Sequence, residues 1–357
     1  MVSTQFIADR IGQWDTEGPQ GPVTLEIYPT LRCNLNCQFC DTTERHRPPV
    51  NELTTSQWLS IIDEANAMGV KQVYVLGGGE PLARHDTPLI LERIKHHKMH
   101  GMLTTNGTLM PPTLTQQLIE WEWDEIHFSI DGPTSEIHDA LRGQNGAFRK
   151  TVSTVCRLAR EKRKRGLEKP ELVIHTVLTN QNSDRLPEFF HLANAIGVSR
   201  VDIDELIAYR PEQKKLQLSQ AQRQRLPKVA QTAIDAADHY GINHRLEQYA
   251  NALPTGRGNG FLDHRAEQKS PVGTLKGAPC LKAWHHLVVQ ADGRTSPCCV
   301  LAGEGGHAQE KPLKKVWETD EFLINIRTQM RNQQPTKRCA ECSWNILMHE
   351  ANIRSEL

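Results

Sequence analysis

Cys33, Cys37 and Cys40 put three thiols within eight residues, in the run Cys33-Asn-Leu-Asn-Cys37-Gln-Phe-Cys40. Three thiolates on so short a loop can hold three corners of an iron–sulfur cube, since cysteines are the usual ligands of such clusters. A cube normally takes four, so a set of three leaves one iron open to a further ligand. The same three thiols with His46 would also suit a tetrahedral zinc ion. A second set lies near the other end of the chain: Cys280, Cys298 with Cys299 beside it, then Cys339 and Cys342. Four thiolates gathered there could bind zinc or a complete iron–sulfur cluster, and by spacing alone zinc is the default.

One strand–helix unit after the first cysteine loop comes Gly77-Gly-Gly-Glu80-Pro81. Glycines at a strand end let backbone approach a ligand closely, and the adjacent carboxylate can accept from an ammonium group. Thr104-Thr105-Asn106-Gly107, Ser129-Ile-Asp131-Gly132 and His138-Asp139-Ala-Leu-Arg142-Gly143 follow in order. The whole ordered set, over about residues 23–208, resembles the radical S-adenosylmethionine (SAM) superfamily. The zinc alternative accounts for none of the later motifs.

That resemblance implies a [4Fe–4S] cluster on Cys33, Cys37 and Cys40, whose open iron chelates SAM, and reductive cleavage of SAM to a 5′-deoxyadenosyl radical. It implies SAM contacts from Phe39, Gly78, Gly79, Glu80, Pro81, Thr105, Asn106, Ser129, Asp131 and Arg142, with Glu80 near the amino group and Arg142 able to pair with the carboxylate. Cys280-x12-Gly293-x4-Cys298 resembles the start of the SPASM/twitch extension of these enzymes, which carries auxiliary [4Fe–4S] clusters. No cysteine follows Cys342, so the shorter form with one cluster is expected, on Cys280, Cys298, Cys339 and Cys342. Cys299 could replace Cys298, but the four-residue gap after Gly293 favours Cys298.

The elements that must position these residues alternate along the chain. Strands are expected at Val23–Tyr28, Gln72–Leu76, Met102–Asn106, Glu125–Asp131, Leu172–Thr179 and Val201–Leu206. Helices are expected at Thr54–Met68, Pro88–His97, Leu114–Trp121, Phe148–Lys162 and Leu186–Ile196. Such alternation implies a parallel sheet with right-handed crossovers. Six units are too few to close an eight-fold barrel. The fold class is therefore α/β: a partial (β/α)6 barrel followed by a small cysteine-rich twitch/SPASM-like domain. The divisions expected are a leader at 1–22, the barrel at 23–208, a helical connector at 209–270 that could cover the rim, the auxiliary domain at 271–345 and a tail at 346–357. Within the connector, Val229–His239 reads as helix and Asn251–Gly260 as loop. Within the auxiliary domain, a hairpin at Leu287–Gln290 turning on Ala291-Asp-Gly293 precedes one helix from Leu313 to about Met330.

Bulk numbers exclude other classes. Formal charge is zero, with a pI near 7.3, so no electrostatic footprint for nucleic acid exists. The basic run Arg157–Arg165 reads as the solvated end of a helix. No apolar run spans a bilayer and the N-terminus lacks a signal-peptide pattern, so a cytoplasmic protein is expected. Cys156, alone among nine cysteines, reads as an inert core residue.

A complete second cluster suggests that the substrate radical gives up an electron, which makes the net reaction an oxidation. The Cys280-x3-Trp284 start and the short leader resemble members that dehydrogenate a sugar or aminocyclitol alcohol. The alternative is modification of a ribosomally made peptide, by thioether or carbon–carbon linkage or by epimerisation. Either way the resemblance implies a flavodoxin- or ferredoxin-type electron donor. The sequence names no substrate and no general base. A His, Arg, Tyr or Lys near the rim would serve; Tyr209, Arg210, His285 and His286 are guesses only, and adjacent histidines usually lie on the surface.

Overall fold

Leu25 and Ile27, Val73 and Val75, Ile126 and Phe128, Leu172 and Ile174, Val201 and Ile203 recur at every second position of their strands, and all are buried in one core. Alternation of this kind turns one strand face to the helices and the other inward. The computed structural model describes residues 2–43, 50–208, 210–251, 272–275, 277–301, 303–342 and 344–357. It contains the expected strands as β1 (Thr24–Ile27), β2 (Gln72–Val75), β3 (His100–Thr105), β4 (Glu125–Ser129), β5 (Glu171–Leu178) and β6 (Arg200–Glu205). Neighbours pair in parallel, in chain order.

Following a helix α1 (Thr4–Thr16), the outer layer is α2 (Thr55–Ala67), α3 (Thr87–His96), α4 (Pro112–Glu120), α5 (Ser135–Arg142), α6 (Ala147–Arg165), α7 (Leu186–Ile196) and α8 (Gln220–Tyr240). Helix α2 starts on a capping box: the Thr54 hydroxyl accepts from Gln57 N, and the Gln57 side chain accepts from Thr54 N. Such reciprocal caps satisfy two otherwise orphaned donors.

The sheet is longer than six strands. β7 (Asn243–His244) adds in parallel beyond β6, and β8 (His286–Val289) adds in parallel beside β1, with β9 (Thr295–Ser296) antiparallel on its outer edge. The expected hairpin is therefore the edge of the barrel sheet itself. The connector divides: Leu226, Ala230, Ala233 and Ala237 of α8 are buried in the main core, while Arg210 and Gln213 at the connector's start reach the cysteine loop at the rim. The loop expected at Asn251–Gly260 falls, from residue 252 on, outside the described residues, as do His46 and Tyr209.

The first 16 residues are not a polar leader. Ile7, Ala8 and Ile11 of α1 are buried with Leu281, Trp284, Leu301, Ile326, Met330 and Ile353 in a second core. Each isoleucine buried there contributes about 1.5–3 kcal/mol. Trp14 Nε1 donates to Trp284 O at 3.2 Å, which ties α1 to the cysteine-rich region. The expected C-terminal tail is helix too, Trp344–Glu356, with Ile353 fully buried.

The single helix expected over Leu313–Met330 is two, α9 (Leu313–Thr319) and α10 (Glu321–Arg331), and Trp344–Glu356 is then α11. Asp320 makes the break, its carboxylate accepting from Leu323 N at 3.1 Å as an N-cap. Cys156 is exposed, not in the core. Helix α6 buries Thr151, Thr154, Val155 and Leu158, and the next residue after Val155 is turned about 100° away from that face. Among the described residues no helix is long and apolar enough to cross a membrane.

Candidate active site and cluster pocket

The cysteine loop leaves the C-terminal end of β1 and is gripped from three sides. The ends of β2 and β3 hold it first. Gly79 N donates to Thr30 O at 2.8 Å and Glu80 N donates to Arg32 O at 2.8 Å. A Cβ on Gly79 would stand 2.0 Å from Arg32 O, and one on Gly78 would stand 2.4 Å from Leu31 Cδ2. These glycines serve the approach of the cysteine loop itself. Asn106 Nδ2 donates to Asn34 Oδ1 at 3.0 Å.

The C-terminal end of α5 grips the loop next. Asn36 N donates to Arg142 O and Gln38 N donates to Leu141 O. Gly143 closes α5 with φ of 63°, and a Cβ there would meet Asn36 O at 2.2 Å. The segment after β6 is the third hold: an Arg210 guanidinium nitrogen donates to Cys40 O at 2.6 Å and Gln213 Nε2 donates to Phe39 O at 2.9 Å. Arg210 thus positions the loop, a different task from the base considered for it. Phe39 packs against Leu141, Leu206 and Leu216.

Glu80 is buried, 3% exposed. Its Oε1 accepts from Thr105 Oγ1 at 2.6 Å and from Leu82 N, and its Oε2 accepts from Asn106 N at 2.7 Å. Burial raises its pKa, against the pull of those hydrogen bonds. Pro81 follows in a buried turn of 3-10 helix. Thr105 and Asn106 are thereby brought to Glu80, with Thr151 of α6 donating to Asn106 O at 2.6 Å.

Asp131 and Arg142 form a buried ion pair, Arg142 Nε standing 2.5 Å from Asp131 Oδ2. Arg142 Nη1 also lies 3.6 Å from Cys37 Sγ, and its guanidinium stands over the Phe39 ring at 5.4 Å. Burial opposes the Arg142 charge, but Asp131 and Cys37 outweigh it and raise the pKa. Asp131 Oδ1 in turn accepts from Val177 N at 2.8 Å, and His138 Nδ1 accepts from Asp131 N. Asp139 caps α6, accepting from Gly146 N and Phe148 N. Ser129 ends β4, half-buried.

Burial pushes the Cys37 thiol up to about 11 despite Arg142, and raises Cys33 as well. Such thiols keep their protons at neutral pH until a bound cation displaces them, as iron–sulfur ligation requires. Three cysteine sulfurs on one loop fit the expected donor set by type. Among the described residues no group of three His, Cys, Asp or Glu side chains is placed to grip a single ion.

The second set meets in one pocket. Cys280, Cys298, Cys339 and Cys342 all line one pocket, partly open to solvent, whose other walls are six apolar residues and Lys282. Four thiols around one apolar space fit a fully ligated cluster. Burial raises Cys298 to about 11 and Cys342 to about 12. Cys299 is exposed and does not line the cavity.

His285 and His286 are buried, 3% and 2% exposed, contrary to the surface expectation. Each has a carboxylate: His285 Nε2 lies 3.2 Å from Glu350 Oε1, and His286 Nε2 lies 2.9 Å from Glu26 Oε2. Glu350 also accepts from Leu281 N at 2.7 Å, which fixes the backbone next to Cys280.

The inward strand face carries polar residues that the motifs do not announce. Arg200 spans Glu125, Glu171 and Asp202 at 2.5, 2.8 and 3.2 Å. His175 Nε2 lies 2.7 Å from Asp204 Oδ2, with both side chains partly accessible. His175 is the register partner of both Ser129 and Asp202, so the pair faces the barrel interior beside a candidate SAM contact. Only strand alternation could have marked these residues in the sequence.

Residues 27–193 match the Radical SAM superfamily, and residues 280–343 match an iron–sulfur cluster-binding domain, SPASM. The chain is 27% identical over 308 residues to the AdoMet-dependent heme synthase of Methanosarcina barkeri, covering 84% of this chain and 82% of that protein. It is 27% identical over 285 residues to the PqqA peptide cyclase of Granulibacter bethesdensis, covering 74% and 72%. Its fold is similar to the crystal structure of Streptococcus suis SuiB bound to S-adenosylmethionine, with a TM-score of 0.67 at 20% identity over 91% of this chain and 72% of that one.

Proposed function

This chain belongs to the radical SAM superfamily and carries a C-terminal SPASM-type iron–sulfur extension, and on that premise we propose that it abstracts hydrogen from a carbon of a polar substrate and completes a net oxidation. When bound, the first cluster supplies the electron that cleaves SAM, and the second offers a place for an electron to go. The chain's own residues arrange the rest. Cys33, Cys37 and Cys40 hold the first cluster on a loop fixed by Gly79, Arg142 and Arg210. Glu80 offers a buried carboxylate to the SAM ammonium, in a place already lined by Thr105 and Asn106. Arg142, charged and locked by Asp131, offers its remaining donors to the SAM carboxylate.

The observation that carries the oxidation is the pocket lined by all four C-terminal cysteines. With every corner ligated, a cluster there has no iron free for substrate, which leaves electron transfer as its task. The polar inner wall with the partly accessible pair His175 and Asp204 suits a substrate rich in hydroxyl or amino groups, such as a sugar or aminocyclitol. A peptide substrate is the second reading, favoured by the 27% identity to a peptide cyclase over 74% of the chain.

The test is anaerobic turnover of the reconstituted protein with SAM and a reductant, against deuterated polyols, aminocyclitols and candidate peptides. Deuterium arriving in 5′-deoxyadenosine, with a product lighter by two hydrogens, is the expected result. A product of unchanged redox level would remove the oxidation. No 5′-deoxyadenosine from any mixture would remove the radical reading of the site.

A further inference from the structure

Lys282 is the one charged residue in the wall of the cysteine pocket among the described residues. It opens the one-turn helix Lys282–His285, two positions after Cys280. Its charge is felt by Cys298 and Cys342 in the pocket, and by two carboxylates, Glu26 and Glu350. Those two come from different layers. Glu26 lies on β1 of the barrel and is already bonded to Tyr28 Oη at 2.6 Å and to His286. Glu350 lies on α11 and is bonded to His285 and Leu281 N. The lysine thus feels one carboxylate from the barrel sheet and one from α11 while it lines the cysteine pocket.

We infer that Lys282 sets the reduction potential of the auxiliary cluster, holding it high enough to accept an electron from the barrel side. The inference rests on the reading that the four thiols hold a cluster. A cluster that gains an electron becomes more negative, and a fixed cation in an apolar wall stabilises that reduced form more than the oxidised one. Water, which would damp the effect, is displaced on the walled side by the six apolar residues that complete the lining. Glu350 reaches the same pocket, its Oε2 3.9 Å from Cys280 Sγ, so the lysine's charge offsets a carboxylate that alone would lower the potential. Lys282 is a positioning charge in this account; it ligates nothing and touches no substrate.

The test is an EPR-monitored redox titration of the full reconstituted chain, wild type against Lys282→Met, Lys282→Gln and Lys282→Arg. The expected result is a shift of the C-terminal cluster's midpoint to lower potential in the two neutral variants, with the arginine variant near wild type. The cluster on Cys33, Cys37 and Cys40 should keep its midpoint in all of them. An unmoved C-terminal midpoint at full iron content overturns the inference, and so does an equal shift of both clusters. Loss of the C-terminal cluster from both neutral variants overturns it as well, because Lys282 would then be an assembly residue. Failure of the underlying reading looks different: wild type itself would show only one cluster signal.

Discussion

Thr105 Oγ1 donates to Glu80 Oε1 at 2.6 Å, so the ends of β3 and β2 are tied through one buried carboxylate. Asn106 N and Leu82 N share the same group. Removing it in Glu80→Ala leaves buried donors unmet, at about 1–3 kcal/mol for each that water cannot reach. Glu80→Gln keeps one acceptor but puts an NH2 against at least one buried donor. It should therefore lose about 1–3 kcal/mol, less than Glu80→Ala, and bind SAM more weakly because the charge is gone. Urea unfolding and calorimetric SAM titration of both variants check this. Equal SAM affinity in Glu80→Gln and wild type would assign Glu80 to the fold alone.

Cys298 lines the auxiliary pocket and Cys299 does not. Reconstituted wild type should bind about eight irons, as two cubanes do. Cys299→Ala should match it, and Cys298→Ala should fall toward about four. Iron and sulfide assays decide between the neighbours. The reverse pattern would exchange their roles.

Why some of this was legible in the sequence follows from where the information sits. The cysteine loop, the glycine run and the Ser129–Asp131 segment are contiguous, so spacing displays them. The strands alternate in type with the helices, so the parallel sheet shows as well. What was hidden depends on contacts between distant segments. Helix α1 is polar over much of its length, and only Ile7, Ala8 and Ile11 reveal the second core it enters. His285 and His286 look exposed until Glu350 and Glu26, 65 and 260 residues away, are placed beside them. Nothing local in β8 announces that it pairs with β1.

Asp131 has no exposure and its partner Arg142 very little. Deleting one member of such a pair leaves the other charge buried, which costs about 3–5 kcal/mol. Asp131→Ala should therefore lower stability by that order and loosen the cysteine loop, because Arg142 also reaches Cys37. Chemical denaturation and iron retention measure the two effects. A loss of under about 1 kcal/mol, the scale of a surface pair, would contradict this reading.

The pair His175 and Asp204 joins β5 to β6 on the inner face of the barrel. Burial lowers the His175 pKa, but the hydrogen bond that His175 donates to the Asp204 carboxylate and the charge of that group outweigh it, so the net direction is upward. For Asp204 burial raises the pKa and His175 lowers it more, so the net direction is down. A histidine whose folded pKa is raised contributes stability that is fully present below its unfolded pKa and lost as pH rises through the folded one. The aspartate's contribution runs the other way: present above its unfolded pKa, and lost as pH falls through its lowered folded value. The pair should therefore be strongest above the unfolded pKa of an aspartate and below that of a histidine, and should weaken as pH rises through the folded pKa of His175. Asp204→Asn removes the carboxylate, so His175 should titrate at lower pH than in wild type, as read by NMR of its imidazole protons. Stability of the variant should then change less between pH 6 and pH 8 (about one unit either side of neutral) than that of wild type. An unchanged His175 titration in Asp204→Asn would show that the contact does not hold the proton.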